Sequence, residues 1–227
     1  MILDFDPLWL TLKLAFCTTI LLSLITIPIA YWLTFSSFRF RFVLETVLNL
    51  PLVLPPTVLG FYLLIFFSPN HWLGGWIEEI FHFRIAFSFL GILIGSIFFS
   101  LPFMLQAYQV GFSSISKIYI ETAMVLGKSK WTILFRVILP NCKAAILAGM
   151  VLTFAHTIGE FGVVLLIGGS IPGKTKVASI AIFEEVEAMN YVSAHIYAAI
   201  LVCISMFFLL LLFRYKRNLT MILSSKN

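Results

Sequence analysis

Five apolar stretches constrain this chain more than any other feature, at about residues 10–35, 46–68, 86–109, 144–168 and 193–213. Each reaches the roughly 20 residues that a helix needs to cross the hydrocarbon of a bilayer. The expectation is an all-α polytopic membrane protein, a single transmembrane domain over residues 1–227 with five transmembrane helices. Charge agrees: only 11% of residues are charged, 61% are hydrophobic, and mean hydropathy is +1.05. Soluble domains are about 25% charged, so a water-soluble class is excluded. The first stretch is too long for a signal-peptide core, follows Asp4 and Asp6, and has no basic segment before it. It is read as a span.

Loop charges give the orientation. Arg39, Arg41, Lys117, Lys128, Lys130, Arg136, Lys143, Arg214, Lys216, Arg217 and Lys226 fall on one side, against Glu45 and Glu121. The other side has Arg84, Lys174 and Lys176 against Asp4, Asp6, Glu78, Glu79, Glu184, Glu185 and Glu187. Lys and Arg gather in cytoplasmic loops, which places the N-terminus outside and the C-terminus inside. The net charge of +5 then reflects topology and contact with anionic membrane lipid, not nucleic acid. Cys17, Cys142 and Cys203 are scattered, odd in number and without a CxxC, so they read as small apolar filler.

Between the third and fourth spans lies the longest charge-bearing amphipathic segment, Glu121 to Pro140, within a loop of about residues 114–143. Gly127 reads as the left-handed residue that ends one short helix. Ser129 reads as the N-cap of a second, Lys130 to Leu139, closing near Pro140. Two short helices on a Gly turn form a knuckle that does not cross the membrane and offers a surface to a partner. The pattern Glu121, Ala123, Gly127, Leu139 and Pro140 resembles the EAA loop of ABC-importer permeases. Thr122 stands where that family usually has Ala, and Val137 where it usually has Ile. The resemblance implies a cytoplasmic coupling helix that docks into an ATP-hydrolysing subunit. Without it, the segment reads as an amphipathic anchor lying on headgroups.

The second span opens with Pro51, Pro55 and Pro56, which prevent a straight helix at its inner end. Broken backbone at membrane depth is tolerated only where protein or water covers it, so these prolines mark a protein-facing or path-lining position. PLVLPPTVLG followed by SPNHWLGGWIEE resembles the molybdate permeases within that superfamily. So does GEFG, residues 159–162, followed by Ile171, Pro172, Gly173, Lys174 and Thr175. Over about Pro7 to Ala188 the resemblance implies a bacterial inner-membrane permease and a homodimer with its path at the subunit interface. It further implies cytoplasmic ABC ATPase subunits that bind ATP and Mg, so that this chain itself carries no cofactor, and a periplasmic or extracellular molybdate-binding protein. Import would proceed by alternating access, coupled through the Glu121–Pro140 loop.

Glu160 is the one carboxylate deep in an apolar run, and it reads as a structural residue, neutral or paired with His156 or Lys13. A fixed negative charge on an anion's path would repel its cargo. Neutral donors suit that path, with Thr57, Thr153 and Thr157 as the candidates. Lys13 reads as snorkelling to the headgroups, or as drawing an anion to the outer mouth. Pro28 is a candidate kink in the first span, and Gly91, Gly95 and Ser96 are candidates for close helix packing. In the outer loop, His71 and His82 are too far apart for a metal pair. A short interfacial helix bearing Trp72 and Trp76 is expected there instead. Glu184, Glu185 and Glu187 form either a solvated face or a rim for an external binding protein.

Gly168 to Thr175 matches the phosphate-loop pattern, but it follows a span, contains Pro172 and lacks a βαβ context. No ATP site of that kind is expected in this chain. Neither a nucleophile elbow nor a zincin motif is present. Two alternatives remain: a permease for tungstate or sulfate, and a non-transporting scaffold or intramembrane enzyme using Glu160 and His156.

Overall fold

The computed structural model describes residues 4–224, and those residues form helices and no strand. Lys226 of the basic tail lies outside the described residues, as do the side chains of Lys216 and Arg217. The first helix, α1, runs without interruption from Asp6 to Phe35, with Pro7 in its first turn, where a missing N–H costs nothing. Pro28 is accommodated inside it without breaking the element. Thr11 and Thr19 donate to the carbonyls four residues back, Pro7 and Ala15, both at 2.7 Å. That arrangement lets buried hydroxyls sit in an apolar helix.

The expected second span is divided. Helix α2, Arg41–Asn49, passes through a 3₁₀ turn, Leu50–Leu52, and the chain then turns by 107° into α3, Pro56–Phe66. Pro56 occupies the first turn of α3, so the proline cluster both stops one helix and starts the next. Eleven residues span only about 16 Å, so α3 alone is short of the membrane thickness. Helix α2 is tied to the bundle by polar contacts. Glu45 accepts from Arg41 Nε at 2.9 Å and from Gln109 Nε2 at 2.9 Å, and Gln106 Nε2 donates to Asn49 at 2.9 Å.

The short helix expected in the outer loop is α4, Trp72–Phe81, which exposes Trp72, Trp76 and Phe81. It ends on His82, whose φ of 49° puts it in the left-handed region. Among the described residues no cluster of His, Cys, Asp or Glu is placed to hold a metal. Helix α5, Phe89–Ser113, is capped by Ser88, whose hydroxyl accepts from the Gly91 N–H at 3.2 Å.

The knuckle consists of α6, Lys117–Val125, and α7, Lys130–Ile133, joined at Gly127. Gly127 has φ +70°. Its N–H donates to the Met124 carbonyl at 2.9 Å and that of Lys128 to Ala123 at 3.1 Å, which together make a Schellman motif. Ser129 caps α7 by accepting from the Thr132 N–H at 3.2 Å. The second short helix differs from the sequence expectation in one respect. It widens into a π turn, Leu134–Ile138, and carries through Pro140 in a final turn, α8, Leu139–Asn141. Proline has no N–H for the Arg136 carbonyl and would crowd it; the wider turn, with Leu139 N–H on Leu134, relieves that conflict.

The expected fourth span is likewise not one helix. Helix α9, Lys143–Ile158, stops at Gly159, and α10, Gly162–Gly168, follows. Beyond it come α11, Ala178–Glu187, and α12, Tyr191–Ser224. Among the described residues three helices are long and apolar enough to cross a membrane, or up to five spans if two bent pairs each count as one. The second such pair is α7–α8 with α9, bent by 79°, so length and composition alone do not mark the break at residues 159–161 as a span.

Helices α1, α5 and α9 pack against one another; α10 joins α3 to α5, and α12 packs on α9 and α11. At the C-terminal end of α1 the core contains Leu33, Met104, Phe112 and the inner face of the knuckle, Ile133, Leu134 and Ile138. Towards its N-terminal end a second core joins Leu14, Ile92, Val163, Ile167 and Ile180. The knuckle and α11 therefore sit at opposite ends of α1. Tyr108 hydroxyl and Ser23 hydroxyl, 2.7 Å apart, pair α5 with α1 in the interior.

Candidate functional site: a broken-helix cleft and an exposed knuckle

The breaks at Pro55–Pro56 and Gly159–Phe161 lie side by side and border one cleft of about 560 Å³. Backbone approach creates it. A Cβ on Gly162 would sit 2.8 Å from Pro56 Cβ, and one on Gly60 would sit 3.0 Å from the Val163 backbone, so neither position has room for a larger residue. The carbonyl of Glu160, freed from any helix, accepts from Ser179 Oγ of α11 at 2.6 Å. Non-helical backbone at this depth is thus satisfied by the protein.

Thr57, His156 and Glu160 line the cleft, with Phe99 on its wall. His156 is held between Phe99 and Phe103, ring centroids 4.9 and 4.1 Å away. Its Nδ1 lies 3.0 Å from Ser100 Oγ, which lies 3.1 Å from Thr157 Oγ1. Thr157 donates its one hydroxyl proton to the Thr153 carbonyl at 2.9 Å. It therefore accepts from Ser100, and His156 donates through Nδ1, which assigns the proton to that nitrogen.

The expected pairing of Glu160 with His156 or Lys13 is not found. His156 is turned to Ser100, and Lys13 Nζ sits 4.6 Å from the centroid of the Phe89 ring. Both carboxylate oxygens of Glu160 are buried with no ion-pair partner among the described residues, and the Ser96 hydroxyl lies beside them. Thr57 is exposed to the cleft, whereas Thr153 and Thr157 are buried in the helix packing behind it. Ser100, which organises His156, was not singled out from sequence; a lone serine on the buried face of an apolar span is its only signal.

The knuckle presents a different surface. Its inner side buries Ile120 and Ala123, while Val125, Leu126 and Trp131 stand 88%, 68% and 62% exposed. Trp131 stacks on Phe135 at 6.2 Å between centroids. Glu121, Lys128, Lys130, Arg136 and Pro140 are exposed around them, and Leu139 is half-buried. An apolar patch rimmed by charge, facing away from the bundle, has the character of a docking surface.

At the opposite end, the phosphate-loop look-alike has its polar groups engaged. Thr175 hydroxyl donates to the Gly168 carbonyl at 2.7 Å and accepts from the Ile171 N–H at 3.1 Å. Two of the three clustered glutamates are also used internally. Glu184 binds Lys176 at 2.5 Å and the Ser170 hydroxyl, and Glu185 accepts from Asn190 Nδ2 at 2.6 Å. Burial pushes the Glu184 carboxyl up, but the Ser170 and Lys176 contacts outweigh it and hold the group below its ordinary value.

Comparison with known proteins agrees with this architecture. The model of the family described as "Binding-protein-dependent transport system inner membrane component" matches residues 20–220. The chain is 41% identical over 214 residues to the molybdenum transport system permease protein ModB of Azotobacter vinelandii, covering 94% of this chain and 95% of that one. It is 34% identical over 203 residues to the sulfate transport system permease protein CysT of Escherichia coli, covering 89% and 72%. A chain of the bacterial alginate ABC transporter shares its fold, with a TM-score of 0.76 at 20% identity over 95% of this chain and 78% of that one. The chain belongs to the binding-protein-dependent transport system inner membrane components, the multi-pass permeases of ABC transporters.

Proposed function

We propose that this chain is the permease subunit of an ATP-driven importer that carries molybdate across the bacterial inner membrane. The observation that carries the reading is its near end-to-end similarity to a molybdenum transport permease. Two copies form the transport unit, with the path between them. Each copy crosses the membrane five times, N-terminus outside and C-terminus inside, with α2–α3 as the second crossing and α9–α10 as the fourth. The charge segregation between the two ends of α1 favours this orientation.

The knuckle transmits the work. A cytoplasmic ABC ATPase binds ATP and Mg and receives the exposed face around Val125, Leu126 and Trp131, while Glu121, Ala123, Gly127, Leu139 and Pro140 hold the knuckle's shape. The buried side of the same helices packs on α1 and α5, so movement of the knuckle moves the bundle as a body. At the other end an extracytoplasmic molybdate-binding protein delivers the anion.

The cleft between the two helix breaks is the segment of the path that this copy contributes. Thr57 offers its hydroxyl there, with Thr153 and Thr157 behind it, and neutral donors release an anion more readily than fixed positive charge. Pro55 and Pro56 fix the opening, and Glu160 is structural, its side chain buried against Ser96. Similarity to a sulfate permease supports a second reading in which sulfate, or tungstate, is the cargo.

Uptake of labelled molybdate at low concentration, in cells lacking the chain and in cells with it restored, decides between them. Molybdate transport predicts restored uptake that survives excess sulfate and is blocked by excess tungstate. Uptake indifferent to the chain, or abolished by sulfate, contradicts it.

A further inference from the structure

Away from the cleft, α1, α9 and α12 border an open groove of about 530 Å³. Its walls are apolar, including Phe16, Met150, Phe154 and Phe208. The hydroxyl on it, that of Thr19, is already bonded to the Ala15 carbonyl at 2.7 Å. A single charged group stands on it, Lys13. Lys13 is exposed, and among the described residues it makes no ion pair. Its Nζ sits over the Phe89 ring, 4.6 Å from the centroid.

Position matters as much as composition. Lys13 lies seven residues into α1, about 10 Å from its start, where a cation has left bulk water but still reaches the headgroup layer. Trp9, one turn earlier on the same face and 70% exposed, stands at the level where indole rings mark the interface. Helical side chains lean towards the N-terminus, which carries the ammonium up to that level and leaves the apolar recess below it. A lone cation above a dry groove is complementary to one molecule type: a negatively charged headgroup with an acyl chain beneath it.

We propose that this groove is a binding site for an anionic phospholipid, its phosphate on Lys13 and one acyl chain lying along α1 towards Phe208. The site is distinct from the transport cleft. It would make the bundle's stability depend on the acidic lipid content of the membrane.

The test uses the full-length chain in neutral detergent, titrated with phosphatidylglycerol or phosphatidylcholine of identical acyl chains and read by native mass spectrometry. The expected result is a preference of about fivefold for phosphatidylglycerol, the usual effect of one Lys at a membrane surface. Lys13→Gln should abolish the preference, Lys13→Arg should retain it, and Met150→Trp, which fills the groove, should weaken binding of both lipids. Equal binding of the two lipids by the unaltered protein, or a preference that survives Lys13→Gln, overturns the proposal. So does a fluorophore on Phe16→Cys that a lipid-soluble quencher cannot reach in bilayers, since a second copy would then cover the groove.

Discussion

Gly127 lends itself to a graded test of the knuckle. Its φ of +70° lies where a Cβ is strained, yet a Cβ added there would meet nothing within 4 Å. The cost of substitution is therefore conformational, not steric, and can be ranked in advance. Gly127→Asn should be mild, because Asn visits the left-handed region readily. Gly127→Ala should cost roughly 1–2 kcal/mol in the formed knuckle, from the left-handed penalty alone. Gly127→Pro cannot adopt a positive φ and also loses the N–H bonded to Met124, so its cost should reach about 3 kcal/mol or more. The assay is ATP hydrolysis by the reconstituted transporter, stimulated by loaded binding protein. Stimulation should fall in the order Gly, Asn, Ala, Pro, while the unstimulated ATPase rate and assembly of the membrane domain hold. Equal stimulation in the Ala and Pro variants, or an Ala variant worse than Pro, would show that coupling does not depend on the left-handed turn at residue 127.

Other expectations follow from individual contacts. Ser23→Ala or Tyr108→Phe alone should lower the unfolding midpoint, each leaving a buried hydroxyl unpaired at about 1–3 kcal/mol, while the double variant should cost less than the two combined. Thr57→Val should reduce molybdate uptake with the unfolding midpoint unchanged, because Thr57 faces the cleft and not the core; unchanged uptake would remove it from the path. Glu160→Gln should preserve uptake, since among the described residues no cation pairs with that carboxylate, whereas Glu160→Lys should abolish it by burying an unpaired ammonium. The Glu184 contacts make the loop before α11 sensitive to acid. The depressed carboxyl contributes stability that is fully present above the ordinary Glu value of about 4.3 and is lost as pH falls through the lower folded value. Amide exchange over residues 169–188 should accelerate in that window, corrected for intrinsic rates, and Glu184→Gln should flatten the response.

Much of this architecture is legible in the residues. Pro51, Pro55 and Pro56 announce the first break, because a ring without an N–H stops one helix and starts another. Gly127 and Ser129 fix the knuckle through local backbone geometry, which sequence encodes directly. The break at residues 159–161 is not legible in the same way. Apolar residues flank it on both sides, Gly159 and Gly162 alone do not oblige a helix to stop, and what stabilises the break is a distant donor, Ser179. The course past Pro140 escapes for a related reason: a π turn absorbs a proline that would otherwise end the helix. Pairing of Glu160 with His156 was a one-turn argument along a helix. It fails because Ser100 and two phenylalanines from α5 hold the imidazole elsewhere. Of the three threonines on the proposed path, sequence gave no means to separate Thr57 at the surface of the cleft from Thr153 and Thr157 inside the packing.

The most direct measurement is import into proteoliposomes containing the purified chain with its ATPase, with ATP inside and the loaded binding protein outside. Labelled molybdate should accumulate only with ATP, the binding protein and an intact knuckle, and Gly127→Pro should abolish the accumulation. Molybdate entry that proceeds without ATP, or a complex that imports sulfate and leaves molybdate outside, would contradict ATP-driven molybdate import.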